Sequence, residues 1–154
     1  MYPENSSHEN LVGAARHHFT LGNEAGVSEH LIQAVHYYQA ALNAVPAPSG
    51  DSRADCLVEM SLALSDLHRL DNAIVAAKQG ALLVTPGNPD CGGYAMNFLM
   101  LLSKRYDRHR NPADLAEITE VGQQLVDRVP ATDELRGSLL GLMWMWQHRR
   151  YEAE

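Results

Sequence analysis

Lysine is nearly missing from this sequence: only Lys78 and Lys104 occur, against ten arginines. Cysteine is as scarce. Cys56 and Cys91 are too few for a disulfide framework, and a structural zinc knuckle needs four closely spaced ligands, so buried reduced thiols are expected. Long apolar runs are lacking as well. The longest, Leu139 to Trp146, has eight residues, where a membrane helix needs about 20. The opening MYPENSSHEN has neither the basic region nor the apolar core of a secretory signal, and the cytoplasm is the expected location. No segment shows sustained period-two alternation of β-branched residues, which excludes a chain of half-buried strands. A nucleophile elbow, a phosphate-cradling glycine loop and a paired-carboxylate motif are all absent. Gly92-Gly93 is too short for a phosphate loop and is expected to let helices approach or a turn form. The net charge of −7 leaves no evident source of attraction for nucleic acid.

What is present is periodic. The 154 residues are one domain's worth of chain, and 45% hydrophobic content is enough for a sizeable core. Proline recurs after helix-like runs, LNAVP at Pro46, LLVTP at Pro86 and VDRVP at Pro130, with spacings of 40 and 44 residues. Self-similarity at that period marks a solenoid of helix pairs. Amphipathic segments end before each proline: Ser28 to Val45, Leu70 to Val84 and Pro112 to Val129. Between them lie Asn10 to Ala25, Ser52 to Arg69, Asp90 to Arg108 and Asp133 to Tyr151. Asp51, Asn88-Pro89-Asp90 and Asp133 supply caps or near-caps, and Pro112 suits a first turn because its missing N–H needs no partner there. The fold class is therefore all-α, with about seven helices.

The stretch QAVHYYQAAL tests that reading, because a histidine beside two tyrosines could also be an acid-base centre. At 3.6 residues per turn, Leu31, Ala34, Val35, Tyr38, Ala41, Leu42 and Val45 share one stripe, which assigns Tyr38 to the core. His36 lies opposite, and Tyr37 and Gln39 fall on the flanks. The three groups diverge. The eight histidines include no pair four apart on one helix face; His17 and His18 point about 100° apart, and His30 and His36 lie on different faces, so no metal is expected.

LGN…QAVHYYQAALNAVP, at Leu21, Gly22, Ala34, Tyr38, Ala41 and Pro46, resembles a tetratricopeptide repeat in full register. The next unit resembles it at Leu57, Leu64, Ala73, Ile74 and Ala77, with one extra residue before Pro86. The third, through Arg105-Tyr106, Asn111 to Leu115 and Pro130, is similar to the longer tetratricopeptide-like repeats abundant in actinobacterial proteins, which are often joined to CHAT or nucleotide-binding signalling domains. Ala25, Glu29 and Gly122 depart from residues usual in the family. The resemblance implies a right-handed superhelical array of antiparallel helix pairs, a single domain with repeats at about 10–46, 52–86 and 90–130 and a terminal helix at 133–151.

It also implies a concave groove lined by the first helix of each pair. By register the groove residues are Arg16, Phe19, Thr20 and Asn23, then Asp55, Val58, Glu59 and Leu62, then Met96, Asn97, Met100, Ser103 and Lys104. Some family members clamp a C-terminal carboxylate; here Asn23 matches, but Phe19, Glu59, Gly93 and Asn97 occupy the other positions, and such a clamp is not expected. Asp55 and Glu59 would favour a basic or amphipathic partner. The last segment, GSLLGLMWMWQHRRYE, is apolar nearly all round, although a terminal solenoid helix needs a polar outer face. It is either enclosed by a second copy or partner, folded over the groove, or left open by a lost repeat; Leu140, Met143, Trp144 and Trp146 are the residues expected to self-associate into a homodimer. The expected function is a non-catalytic adaptor that binds a protein or peptide, without cofactor or metal. The alternative is a small helical-repeat enzyme or small-molecule-binding protein with a closed acid-base pocket, drawing on His17, His18, Asp55 and Glu59.

Overall fold

A computed structural model describes residues 7–44 and 46–154. Among the described residues there are seven helices and no strand: α1 (His8–Ala25), α2 (Ser28–Leu42), α3 (Gly50–Asp66), α4 (Leu70–Leu83), α5 (Cys91–His109), α6 (Pro112–Arg128) and α7 (Leu135–Ala153). Pro46, Pro86 and Pro130 each stand a few residues past the end of α2, α4 and α6, where a residue without an N–H cannot extend the helix. Val45, assigned to the α2 stripe from its spacing, lies outside the described residues.

Local chemistry sets the helix ends and explains where they differ from the expected ones. α1 starts at His8 instead of Asn10 because the Ser7 hydroxyl accepts a hydrogen bond from the Asn10 N–H at 3.2 Å. α3 stops at Asp66 instead of Arg69. The Arg69 N–H donates back to Leu64 O at 2.9 Å while His68 takes a left-handed conformation (φ 60°), a C-terminal closure that usually uses glycine and so left no glycine signal in the sequence. Asn111 accepts from the Ala113 N–H at 2.9 Å, with Pro112 in the first turn of α6. Asp133 does the same for Leu135 at 2.9 Å, and α7 begins there. The Arg136 guanidinium then donates to the carbonyls of Val126, at 2.9 Å, and Val129, satisfying the exposed C-terminal end of α6.

The chain divides into two compact units, between Leu83 and Val84. In the first, α1 packs on α2, α2 on α3, and α3 on α4. Partner numbers fall on one helix as they rise on the next: His8 meets Ala41, His18 meets His30 and Gly22 meets Leu31, so α1 and α2 run antiparallel. The Cys56 thiol donates to Tyr38 O at 3.5 Å and Arg53 to Leu42 O at 3.4 Å, giving the same relation between α2 and α3. Leu31, Ala34, Val35, Tyr38 and Ala41 are buried and Leu42 is half-buried, while His36 and Gln39 are exposed and Tyr37 is intermediate. The stripe read from the spacing is the packed face. Val58, expected in the groove, is instead buried against Gly80, where an added Cβ would stand 2.6 Å from its methyl and 3.0 Å from Ala54 O.

In the second unit, α5 packs on α6 and α6 on α7, again antiparallel. A buried ion pair fixes the α5–α6 turn: Arg105 reaches Asp114 at 2.7 Å, and the carboxylate is almost wholly enclosed. Gly122 leaves room for Met143; a Cβ there would lie 2.5 Å from its sulfur. Gly92 lets the Asp133 carboxylate approach where a Cβ would meet it at 2.9 Å. α5 meets the turn before α7 at Gly92 with Asp133, and α7 itself at Tyr106 with Trp146 and Asp107 with Arg149, numbers that rise together, so these two helices lie side by side and parallel.

Candidate functional site

Each unit carries a trough between two of its helices. In the first unit a cavity of about 370 Å³ lies between α1 and α3, lined by His8, Glu9, Val12, Arg16, Ser52, Asp55 and Cys56. Arg16 grips Glu59 through both of its oxygens, with contacts of 2.8 to 3.2 Å, so two residues placed in the groove by register do meet. Behind the pair sit two groups held protonated. Burial above all, with Glu59 adding to it, pushes the Tyr38 hydroxyl far above its usual range and the Cys56 thiol up to about 12. A thiol of that kind is a poor nucleophile at neutral pH. His8 donates its Nδ1 proton to Ala41 O at 3.1 Å, because a carbonyl can only accept.

The other expected residues of this unit spread out. Thr20 and Asn23 are exposed, with the Thr20 hydroxyl donating to Arg16 O at 3.0 Å; Phe19 is half-buried, and Leu62 is exposed. None of the four lines the cavity. Nor do the acid-base candidates converge. His18 turns to α2, its Nδ1 3.2 Å from His30 Nδ1, its ring stacked on both His30 and Tyr37, with His17 edge-on at 5.8 Å. Glu59 stays with Arg16, and Asp55 lines the same cavity as Arg16. Sequence spacing separated these histidines along the helices, and only the packing of α1 on α2 brings them together. Among the described residues no group of three or more histidine, cysteine, aspartate or glutamate side chains is placed to hold a metal ion.

The second trough, about 450 Å³, lies between the parallel helices α5 and α7. Met100, Ser103 and Lys104 enter from α5 as the register implied, joined by Asp107 and Arg108; Leu142, Met145, Trp146 and Arg149 enter from α7. Met96 and Asn97 are half-buried and do not line it. Asp107 and Arg108 were legible, since they continue the Met100 and Lys104 face by three and four residues. The α7 residues were not, because their place depends on which way that helix turns. Trp146 packs edge-on against Tyr106 at 5.5 Å, and the Arg149 guanidinium stands 4.6 Å from its ring centre.

Of the four residues expected to self-associate, two lie inside the unit and two outside. Met143 and Trp146 are each 2% exposed, inside their own unit, because α7 uses that side to pack on α6 and α5. Leu140 and Trp144 remain outside; Trp144 is 70% exposed and stacks on His148 at 5.7 Å. The cysteines are free and buried, and no helix among the described residues is long and apolar enough to cross a membrane. No family model, curated protein or solved structure matches the chain.

Proposed function

We propose that this protein is a non-catalytic binding adaptor of tetratricopeptide type, a right-handed array of helix pairs that holds a segment of a partner protein against its first-of-pair helices. The observation that carries the reading is the trough between α5 and α7. It has an apolar floor, open to solvent at Met100, which is 61% exposed, and it is formed by two parallel helices about one proline spacing apart in sequence. Recognition of this sort needs shape and a few anchors, not activated groups. The α1/α3 trough supports the same reading: its ionic pair is already closed on itself and its buried thiol is held protonated, so it offers contact surface and fixed charge.

Hydrogen exchange on the protein with a captured partner tests this. Protection of α1 with α3, or of α5 with α7, is the expected result. Protection confined to α2, α4 and α6 would reject it, and so would a captured small molecule with no protein bound.

A further inference from the structure

We infer that the α5/α7 trough takes an acidic amphipathic helix of a partner protein, seated with its apolar stripe on the trough floor and its carboxylates toward the rim. This rests on the groove reading and adds the chemistry of the occupant, which differs from the basic partner that Asp55 and Glu59 pointed to.

The floor decides that the occupant is a helix. Met100, Leu142 and Met145 present its apolar surface, over the nearly enclosed ring of Trp146, and its one neutral polar side chain, Ser103, donates its hydroxyl to Leu99 O at 2.6 Å. An extended peptide lying there would bring unpaired backbone N–H and C=O groups onto a surface with almost nothing to meet them, at a cost comparable to a lost hydrogen bond for each. A helix satisfies its own backbone and needs only an apolar stripe. Two methionines in the floor suit that use, since an unbranched thioether adapts to the ridges of an incoming helix. The trough is also too open to enclose a small ligand, with Met100 largely in solvent.

The rim decides the sign. Lys104, Arg108 and Arg149 line it, with Asp107 as its single carboxylate. Asp107 is itself flanked by Arg149 at 3.7 Å and Arg110 at 3.9 Å, so its charge is largely answered within the protein. Lys104 is one of only two lysines in the chain. The protein as a whole is acidic, at −7, which disfavours an extended polyanion such as a nucleic acid or an anionic membrane. A short acidic segment sees mainly the rim, because screening confines exposed charges to about 8 Å at physiological salt.

Two fluorescent synthetic helices of roughly 18 residues, long enough to populate the helical state, make the test. They share one leucine stripe and carry either glutamates or lysines on its flanks. By fluorescence anisotropy the glutamate helix is expected to bind roughly tenfold tighter, about what two or three exposed ion pairs supply, and to weaken as salt rises. Lys104→Glu with Arg108→Glu should reverse the order, and Met100→Glu should weaken both helices. Lys104, Arg108 and Met100 are exposed, and circular dichroism checks that the variants fold. If the lysine helix binds as well as the glutamate one and still responds to Met100→Glu, the acidic inference is wrong and the groove reading stands. If neither helix binds, or binding is indifferent to Met100→Glu, the acidic inference falls and so does the α5/α7 trough as the groove. Capture of phosphatidylglycerol vesicles without binding of the glutamate helix would replace the partner helix with a lipid surface.

Discussion

His18 and His30 hold their Nδ1 atoms 3.2 Å apart, so in the neutral pair one ring donates its proton and the other, in the opposite tautomer, accepts it. Protonating both rings puts two Nδ1–H groups head to head. Burial first, then the charges of His30 and His17, hold the His18 pKa below its usual value of about 6.5. The unfolded chain therefore takes up this proton at a higher pH than the folded one. The resulting stability is fully present above about 6.5 and is lost as pH falls through the lower folded value. In urea titrations between pH 8 and pH 5, the wild-type protein should lose stability more steeply than His18→Gln. The groups facing His18 are His17 from its own helix and His30 and Tyr37 from α2, so the comparison isolates this pair. Parallel loss in the two proteins would show that the pair contributes nothing. Spacing on a single helix could not reveal it, because His18 and His30 meet only where two helices do.

At the scale of the element, α7 shows how two tryptophans one residue removed from each other can have unlike roles. Trp146 is buried between Tyr106 and Arg149, and its indole N–H has no hydrogen-bond partner among the described residues. Trp144, two residues earlier and so about 200° around the helix, is largely in solvent. Trp146→Ala should cost about 3–5 kcal/mol of unfolding free energy, whereas Trp144→Ala should stay within about 0.5 kcal/mol. Trp146→Phe gives up no hydrogen bond and should fall well below the alanine cost. Equal losses at the two positions in chemical denaturation would contradict the burial pattern. Helical spacing puts Leu139, Leu142 and Trp146 on one face and Leu140 and Trp144 on another, and burial divides the same way: Leu139 is buried, Leu142 is half-buried, and Leu140 is exposed. What the sequence left open was which face turns inward. The answer depends on Gly122, where the missing side chain admits Met143 and so draws that side of α7 onto α6.

For the whole molecule, the open face of α7 bears on assembly. Leu140, Trp144 and Tyr151 are 45%, 70% and 79% exposed, an apolar strip of the kind that marks interaction surfaces. If a second copy covers it, Trp144→Glu should convert a dimer to a monomer in sedimentation velocity without changing the helical content. A dimer that survives the change rules out this strip as the interface. The sequence by itself determined the helices, their approximate ends and the packed stripe of QAVHYYQAAL, because these follow from the 3.6-residue period, from caps and from proline, all of which act within a few residues. Tyr38 is core and His36 faces solvent, as that spacing required. Only the tertiary structure decided that Arg16 closes on Glu59, that His18 meets His30, and that Trp146 forms a trough floor with Met100 across from it. Those pairings join residues distant in the chain, and their geometry is set by how closely one helix can approach another, a property of two surfaces together that neither helix encodes alone.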